Sequence, residues 1–405
     1  MKVAIVYHYF PHYRGPVLRE LCASSEHEYI LFGDDRALDP TIKLWNCDVP
    51  ERFHAARCYN SRRLGLLWQR GVIELARRRD VHAIIYLGNP YYLSTWMSAA
   101  LARSAGKRVL FWTHGWTSFG GGPKSWLRNL FYSKADGLLL YGHYAKAIGM
   151  QRGFSPESLY VIYNSLDYER QRHVREQVSD DDIIDTRREF FANPQRPLII
   201  CSARLRGECR FELLIKAQAE LDRTGHHINL LFVGDGPERQ RLETLASSFG
   251  VSARFFGSCY DEPTLARLTM SANATVSPGK VGLTAMQSLA YGTPVITHSN
   301  LAAQMPEFEA IVAGRTGDFF RNDDIGDLAR VIKQWTAASL PNSATRQQCH
   351  EVIERFYNPQ FQRRAIDRAV RGLPADDLFW LREDATRIRN ESEPKAIDRH
   401  ALVAT

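Results

Sequence analysis

Residues 276–296 read Val276-Ser277-Pro278-Gly279-Lys280-Val281-Gly282-Leu283-Thr284-Ala285-Met286-Gln287-Ser288-Leu289-Ala290-Tyr291-Gly292-Thr293-Pro294-Val295-Ile296. Ala274 to Val276 predicts a short strand, and Pro294 to Thr297 predicts the next one. Between them a helix is expected from about Leu283, preceded by a loop in which Gly282 allows close backbone approach. A helix start of this kind directs unpaired N–H groups and its dipole at whatever lies before it, which favours a phosphate.

The same alternation extends in both directions and predicts α/β architecture, parallel sheets covered by helices. In the first half the strand candidates are Val3–Tyr7, Tyr29–Phe32, Ala83–Leu87, Arg108–Trp112, Gly137–Leu140 and Leu159–Ile162. In the second they are Leu198–Ala203, Asn229–Val233 and Ala253–Phe256, ahead of the two strands already named. Leu328, Val331, Ile332 and Trp335 recur at helical spacing and close that series with an amphipathic helix. The expected division is a first domain over 1–170, a polar connection over 171–195, a second domain over 196–350, a helix over 351–372 that packs back on the first domain, and a polar tail over 373–405 with an apolar knot at Leu378, Phe379, Trp380 and Leu381.

The chain has 405 residues, 44% hydrophobic and 24% charged, enough for two domains. It opens on a strand instead of a secretory leader, and its apolar runs are too interrupted to span a bilayer, so a cytoplasmic protein is expected. Its seven cysteines are scattered, with no spacing that builds a zinc site. A net charge of +7 favours anionic partners such as nucleotides, lipid diphosphates or phospholipid headgroups. No nucleic-acid-binding module is visible, and nucleic acid is not expected as a partner.

Four successive features of the second half resemble the donor-binding domain of family 4 glycosyltransferases, which have the GT-B architecture of two Rossmann-like domains facing across a cleft. They are Ser202-Ala203-Arg204-Leu205 with Glu208-Cys209-Arg210-Phe211; Leu231-Phe232-Val233-Gly234-Asp235-Gly236-Pro237; Phe255-Phe256-Gly257-Ser258-Cys259-Tyr260; and the stretch quoted first. The resemblance implies that an arginine and a nearby lysine grip a donor diphosphate. Arg204 holds the arginine place, but Cys209 stands at the usual lysine, leaving Arg210, or Arg206, to supply the second cation. The alternative is that these arginines are solvated at a helix start.

Gly234 and Gly236 read as scaffold around a tight turn, and Tyr260 either stacks on a base or caps the core. In the family two glutamates bracket the quoted helix start. Here Gly279 replaces the first, which meets the sugar, and Gln287 the second, which binds the ribose. Lys280 adds a cation that either holds an acidic group or points to solvent, while Gly282, Leu283 and Thr284 offer backbone donors to the donor phosphates.

In the first half, Tyr9-Phe10-Pro11-His12-Tyr13-Arg14-Gly15-Pro16 stands where relatives carry a glycine-rich loop facing the donor. Gly15 matches that loop; Arg14 replaces a glycine, and reads either as a phosphate ligand or as a surface arginine. His114, in Thr113-His114-Gly115 at the carboxyl edge of a strand, corresponds to a family histidine that contacts the transferred sugar. Asn164 resembles the start of the family's linker motif. The aromatic and basic stretch from Lys124 to Lys134 is either a half-buried helix or a peripheral contact with an anionic membrane.

The resemblance therefore implies a retaining glycosyltransferase of polysaccharide or glycoconjugate biosynthesis. Its donor would be a UDP- or GDP-linked sugar and its acceptor a glycan or lipid-linked molecule. Neither a metal nor a separate cofactor is expected, because arginines replace the cation. A weak or inactive nucleotide-binding partner of another transferase stays open, as does a sugar-nucleotide epimerase, although no acid/base pair for epimerisation can be located.

Overall fold

The computed structural model describes residues 1–38, 42–61, 65–337 and 340–375. The tail containing Leu378, Phe379, Trp380 and Leu381 lies outside the described residues.

The first sheet has seven parallel strands in the spatial order Phe53–Ala55, Glu28–Gly33, Lys2–Val6, Ala83–Leu87, Arg108–Thr113, Gly137–Leu140 and Leu159–Val161. The second has six, in the order Ala253–Gly257, Asn229–Val233, Leu198–Ser202, Ala274–Ser277, Val295–His298 and Gly317–Phe320. In both, strand order reverses beside the first strand of the domain. That reversal opens a crevice at the carboxyl ends of two neighbouring strands, the place where open α/β sheets bind ligands. Because helices cover both faces, the central strands are apolar throughout; Leu230, Leu231 and Phe232 are fully buried.

The edge strands Phe53–Ala55 and Gly317–Phe320 are absent from the strands expected from sequence. Each has only three or four residues and is partly exposed, so neither forms a hydrophobic run. A two-stranded antiparallel hairpin, Cys58–Ser61 with Leu66–Gln69, also has no counterpart among them.

The polar stretch assigned to a connection is folded into the helices Tyr168–Glu176 and Asp180–Phe190. Ser179 and Asp182 form a reciprocal capping box, and the acidic run Asp180-Asp181-Asp182 occupies the first turn. There the helix dipole favours negative charge, so an acidic composition marks a helix start. The chain returns at its end through the helix Pro359–Val370, whose Ile366, Ala369 and Val370 join the core of the first domain. Tyr29 donates to Asp367 at 2.6 Å and Arg363 pairs with Glu20 at 2.9 Å, so the return is fixed by polar contacts as well.

Candidate active site

The helix forecast from Leu283 is Leu283–Ala290, with Gly282 as its N-cap. It follows the strand Ala274–Ser277, which pairs with Leu198–Ser202 at the reversal of the second sheet. The Thr284 hydroxyl donates to the carbonyl of Ser202 at 2.8 Å, tying the helix start to the end of the neighbouring strand. A cavity of about 620 Å³ opens there, lined by Ser202–Arg204, Val233–Gly236 and Ser258–Tyr260. The first three of the four sequence motifs therefore converge on one cavity, and the helix start of the fourth stands at its edge.

Close backbone packing builds that cavity. A Cβ at Gly234 would lie 1.9 Å from the carbonyl oxygen of Ala203, and one at Gly236 would lie 2.4 Å from that of Leu205. Both glycines are thus required for the two strand ends to meet.

Arg204 is exposed on the cavity wall, and its guanidinium makes no ion pair among the described residues. Arg210 differs. It adopts φ 55°, forms an ion pair with Asp323 and approaches Glu212 at 3.6 Å. Lys280 is exposed and pairs with Glu208 at 3.6 Å. Gln287 is half-buried one turn beyond Thr284.

Tyr260 is 79% exposed at the cavity mouth, which corrects the reading that it caps the core. The ammonium of Lys43, from the first domain, lies 4.9 Å from its ring centroid, within cation–π range.

In the first domain His114 follows the strand Arg108–Thr113 and faces the interdomain cleft with Trp116 and Tyr144. Gln304, Phe308 and Glu309 of the second domain form the opposite wall. Gln304 also accepts from the Val281 N–H at 2.7 Å, so one side chain joins the Gly279–Gly282 loop to the His114 cleft. The His114 ring reaches cleft solvent but is walled by both domains. Desolvation, then the charge of Arg14, lowers its pKa to about 4. The imidazole is therefore neutral at physiological pH, able to donate from one nitrogen and accept at the other.

Arg14 is neither on the surface nor open to the cavity. It is buried, donates to Tyr141 and to Asn164 at 3.1 Å, and lies 5.0 Å from the ring centroids of both Trp112 and Tyr141. Tyr141 in turn packs 4.7 Å from the His114 ring. Arg14 thus stands behind His114 and fixes its surroundings. Gly15 is buried beneath Trp45, whose ring would lie 2.7 Å from an added Cβ.

Sequence reasoning missed the two carboxylates that join the domains. Asn164 donates to Glu307 at 2.8 Å, and burial raises the pKa of that carboxyl. Glu309 accepts from the N–H groups of His143 and Tyr144, both at 2.7 Å, capping the helix His143–Gln151 of the opposite domain. The only local signal was Pro306-Glu307-Phe308-Glu309, two carboxylates behind a proline at a turn. The helix Pro123–Tyr132 buries Phe131 and Tyr132 and exposes Trp126 and Leu130.

Comparison with known proteins agrees with this geometry. The family profile described as Glycosyltransferase Family 4 matches residues 17–170, and the one described as Glycosyl transferases group 1 matches residues 182–354. A GDP-mannose-dependent alpha-(1-6)-phosphatidylinositol dimannoside mannosyltransferase of Mycobacterium tuberculosis is 36% identical over 112 residues, 27% of this chain and 29% of that protein. The lipopolysaccharide core biosynthesis glycosyltransferase LpsE of Rhizobium meliloti is 30% identical over 185 residues, 44% of this chain and 50% of that protein. The match thus spans half or less of either relative. Among solved structures, HepE of Anabaena in complex with UDP aligns with a TM-score of 0.67 at 15% identity, covering 92% of this chain and all of that one, a likeness of fold. With both domains matched in turn and both sheets in the GT-B arrangement, the chain belongs to the family 4 glycosyltransferases.

Proposed function

We propose that this glycosyltransferase moves a sugar from a nucleotide diphosphate to a lipid-linked or glycan acceptor, with retention of anomeric configuration. The observation that carries the donor assignment is the unpaired Arg204 beside the helix start at Gly282 and Leu283, on a cavity of about 620 Å³. A diphosphate leaving group gains negative charge as the glycosidic bond breaks, and a guanidinium with first-turn N–H groups stabilises that charge. Tyr260 offers its exposed face to the base, and Gln287 offers an amide to the ribose. His114, neutral in the cleft, hydrogen-bonds the transferred sugar. Asp235, the carboxylate among the residues lining this cavity, is engaged by Arg239 at 3.3 Å and by the Gly236 N–H at 2.7 Å, which suits front-face transfer, with the departing phosphate oxygen accepting the acceptor's proton. The arginine and helix dipole supply the positive charge, so turnover proceeds without added divalent metal.

The bound UDP of Anabaena HepE and the GDP-mannose dependence of the mycobacterial relative frame the donor panel. The lipid and lipopolysaccharide acceptors named for the relatives support an acceptor at a membrane surface. Purified protein incubated with UDP- and GDP-sugars and scored by mass for donor loss and product gain tests the assignment.

A second reading, a nucleotide-binding partner without transfer activity, is favoured by one observation. Gly279 leaves no room for a side chain, since its Cβ would lie 2.1 Å from the carbonyl oxygen of Glu208. Tight nucleotide-diphosphate binding without turnover of any donor would select that reading.

A further inference from the structure

The hairpin Cys58–Ser61 and Leu66–Gln69 packs at the carboxyl end of the first strand, beside the reversal of the first sheet, the side on which the proposed acceptor meets the donor. Its inner face is fixed. Gln69 donates to the carbonyl of Tyr7 at 2.7 Å, at the end of the first strand, and its own N–H donates to Ser94 at 3.0 Å. Leu67 donates to the carbonyl of Tyr91 at 3.0 Å. By strand alternation the outer face presents Tyr59 and Trp68, which are cross-strand partners and 54% and 38% exposed. Tyr91 continues this surface. Leu93 and Met97, 42% and 55% exposed and one turn apart, extend it along the helix Leu93–Ser104.

A cluster of two tyrosines, a tryptophan, a leucine and a methionine open to water is unfavourable unless something covers it. The charge beside it says what. Arg57 and Arg70 stand exposed at the open end of the hairpin; Arg57 approaches Asp35 at 3.7 Å, and Arg70 makes no ion pair among the described residues. Arg57 and Arg70 follow Tyr59 and Trp68 in register, since Arg70 donates to the carbonyl of Arg57 at 2.9 Å. Aliphatic tips, aromatic rings with one polar end, and guanidiniums beside them match the three layers of an anionic bilayer surface: acyl chains, interface and phosphates. A glycan would use the aromatic rings but gains nothing from Leu93 and Met97.

We infer that the face formed by Tyr59, Trp68, Tyr91, Leu93 and Met97, flanked by Arg57 and Arg70, docks on an anionic phospholipid surface and presents the first-domain crevice to a lipid-linked acceptor. The inference rests on the acceptor reading above. Binding to vesicles that contain no acceptor can be measured independently of it.

The full chain is mixed with phosphatidylglycerol or phosphatidylcholine vesicles and floated on a density gradient. The wild type floats with phosphatidylglycerol and far less with phosphatidylcholine, and 0.5 M salt weakens binding (roughly a threefold rise over physiological salt). The pair Trp68→Ser with Met97→Glu lowers partitioning at least about tenfold while nucleotide-diphosphate binding is unchanged, which also reports an intact fold. Phe249→Ser, an exposed aromatic of the second domain, leaves flotation intact. Absence of wild-type flotation, an equal loss from Phe249→Ser, or concentration-dependent self-association through this face in place of vesicle binding would each overturn the docking assignment. Flotation without transfer to any lipid acceptor would refute the acceptor reading alone, and transfer to such an acceptor in detergent without flotation would refute docking alone.

Discussion

The N–H of Gly279 donates to the carbonyl of Cys209 at 3.0 Å, so two of the three positions at which this chain lacks its family's charged residues touch each other. The departures at 209 and 279 are therefore structurally coupled. The turn Gly207–Cys209 occupies the space that a side chain at 279 would need, and that approach requires glycine.

Restoring the family residue should consequently fail. Gly279→Glu places a Cβ against the Glu208 carbonyl and displaces the turn, at a cost of about 1–3 kcal/mol. For a domain of this size that lowers Tm by several degrees, roughly 2–4 °C per kcal/mol. Calorimetry and turnover measured together check this. Unchanged Tm with increased activity would show that the turn yields freely.

Arg204 and Arg210 should separate in binding assays. Arg204→Ala is expected to weaken nucleotide-diphosphate binding by about tenfold to a hundredfold and nucleoside binding little, because a charge-assisted contact is lost. Arg210→Ala should cost less, since that guanidinium is held by Asp323 and Glu212. Equal losses of diphosphate and nucleoside on Arg204→Ala, by titration calorimetry, would remove the phosphate assignment.

Acid should act through three histidines. His8, His114 and His350 are held at about 4, in each case mainly by burial. Their folded values lie below the unfolded 6.5, so between about 4 and 6.5 the unfolded chain binds protons that the folded chain refuses. Stability is therefore complete above that window and is lost as pH falls through it. The slope is at most about 1.4 kcal/mol per pH unit for each histidine, and less for the solvent-reached His114. Tm measured from pH 7 to pH 4.5 should fall steadily; a flat profile would contradict the assignment.

Arg14 contributes to the low pKa of His114 after burial. Arg14→Met should raise the His114 pKa, read by NMR of the imidazole, and shift the acid limb of the turnover profile upward. A profile that keeps its midpoint while only its amplitude falls would leave Arg14 a purely structural role.

Glu309 docks the second domain on the first through two backbone N–H groups of one helix. Glu309→Ala removes two charge-assisted bonds, each worth about 1.5–3 kcal/mol net. It should loosen the interface, seen as faster amide exchange at His143 and Tyr144. Gly142→Ala should act alike, since its Cβ would lie 2.4 Å from the Glu309 carboxylate. Unaltered exchange in both variants would show that apolar contacts such as Tyr144 with Phe308 suffice.

Two parallel sheets, the strand–helix unit around Leu283 and the exposed Arg204 were legible in the residues, because each depends on local periodicity, capping and glycine placement. The polar stretch before Phe190 carried its capping box in plain view but was read by composition instead. What local patterning could not supply lies between segments distant in sequence: Arg14 buried against Asn164, Arg210 drawn to Asp323, Glu307 and Glu309 crossing the cleft, and the turn at Cys209 filling the place of a glutamate. The same arginine type stands exposed on the cavity wall at 204 and is buried against Asn164 and Tyr141 at 14, because pairing and burial depend on which chain segments meet.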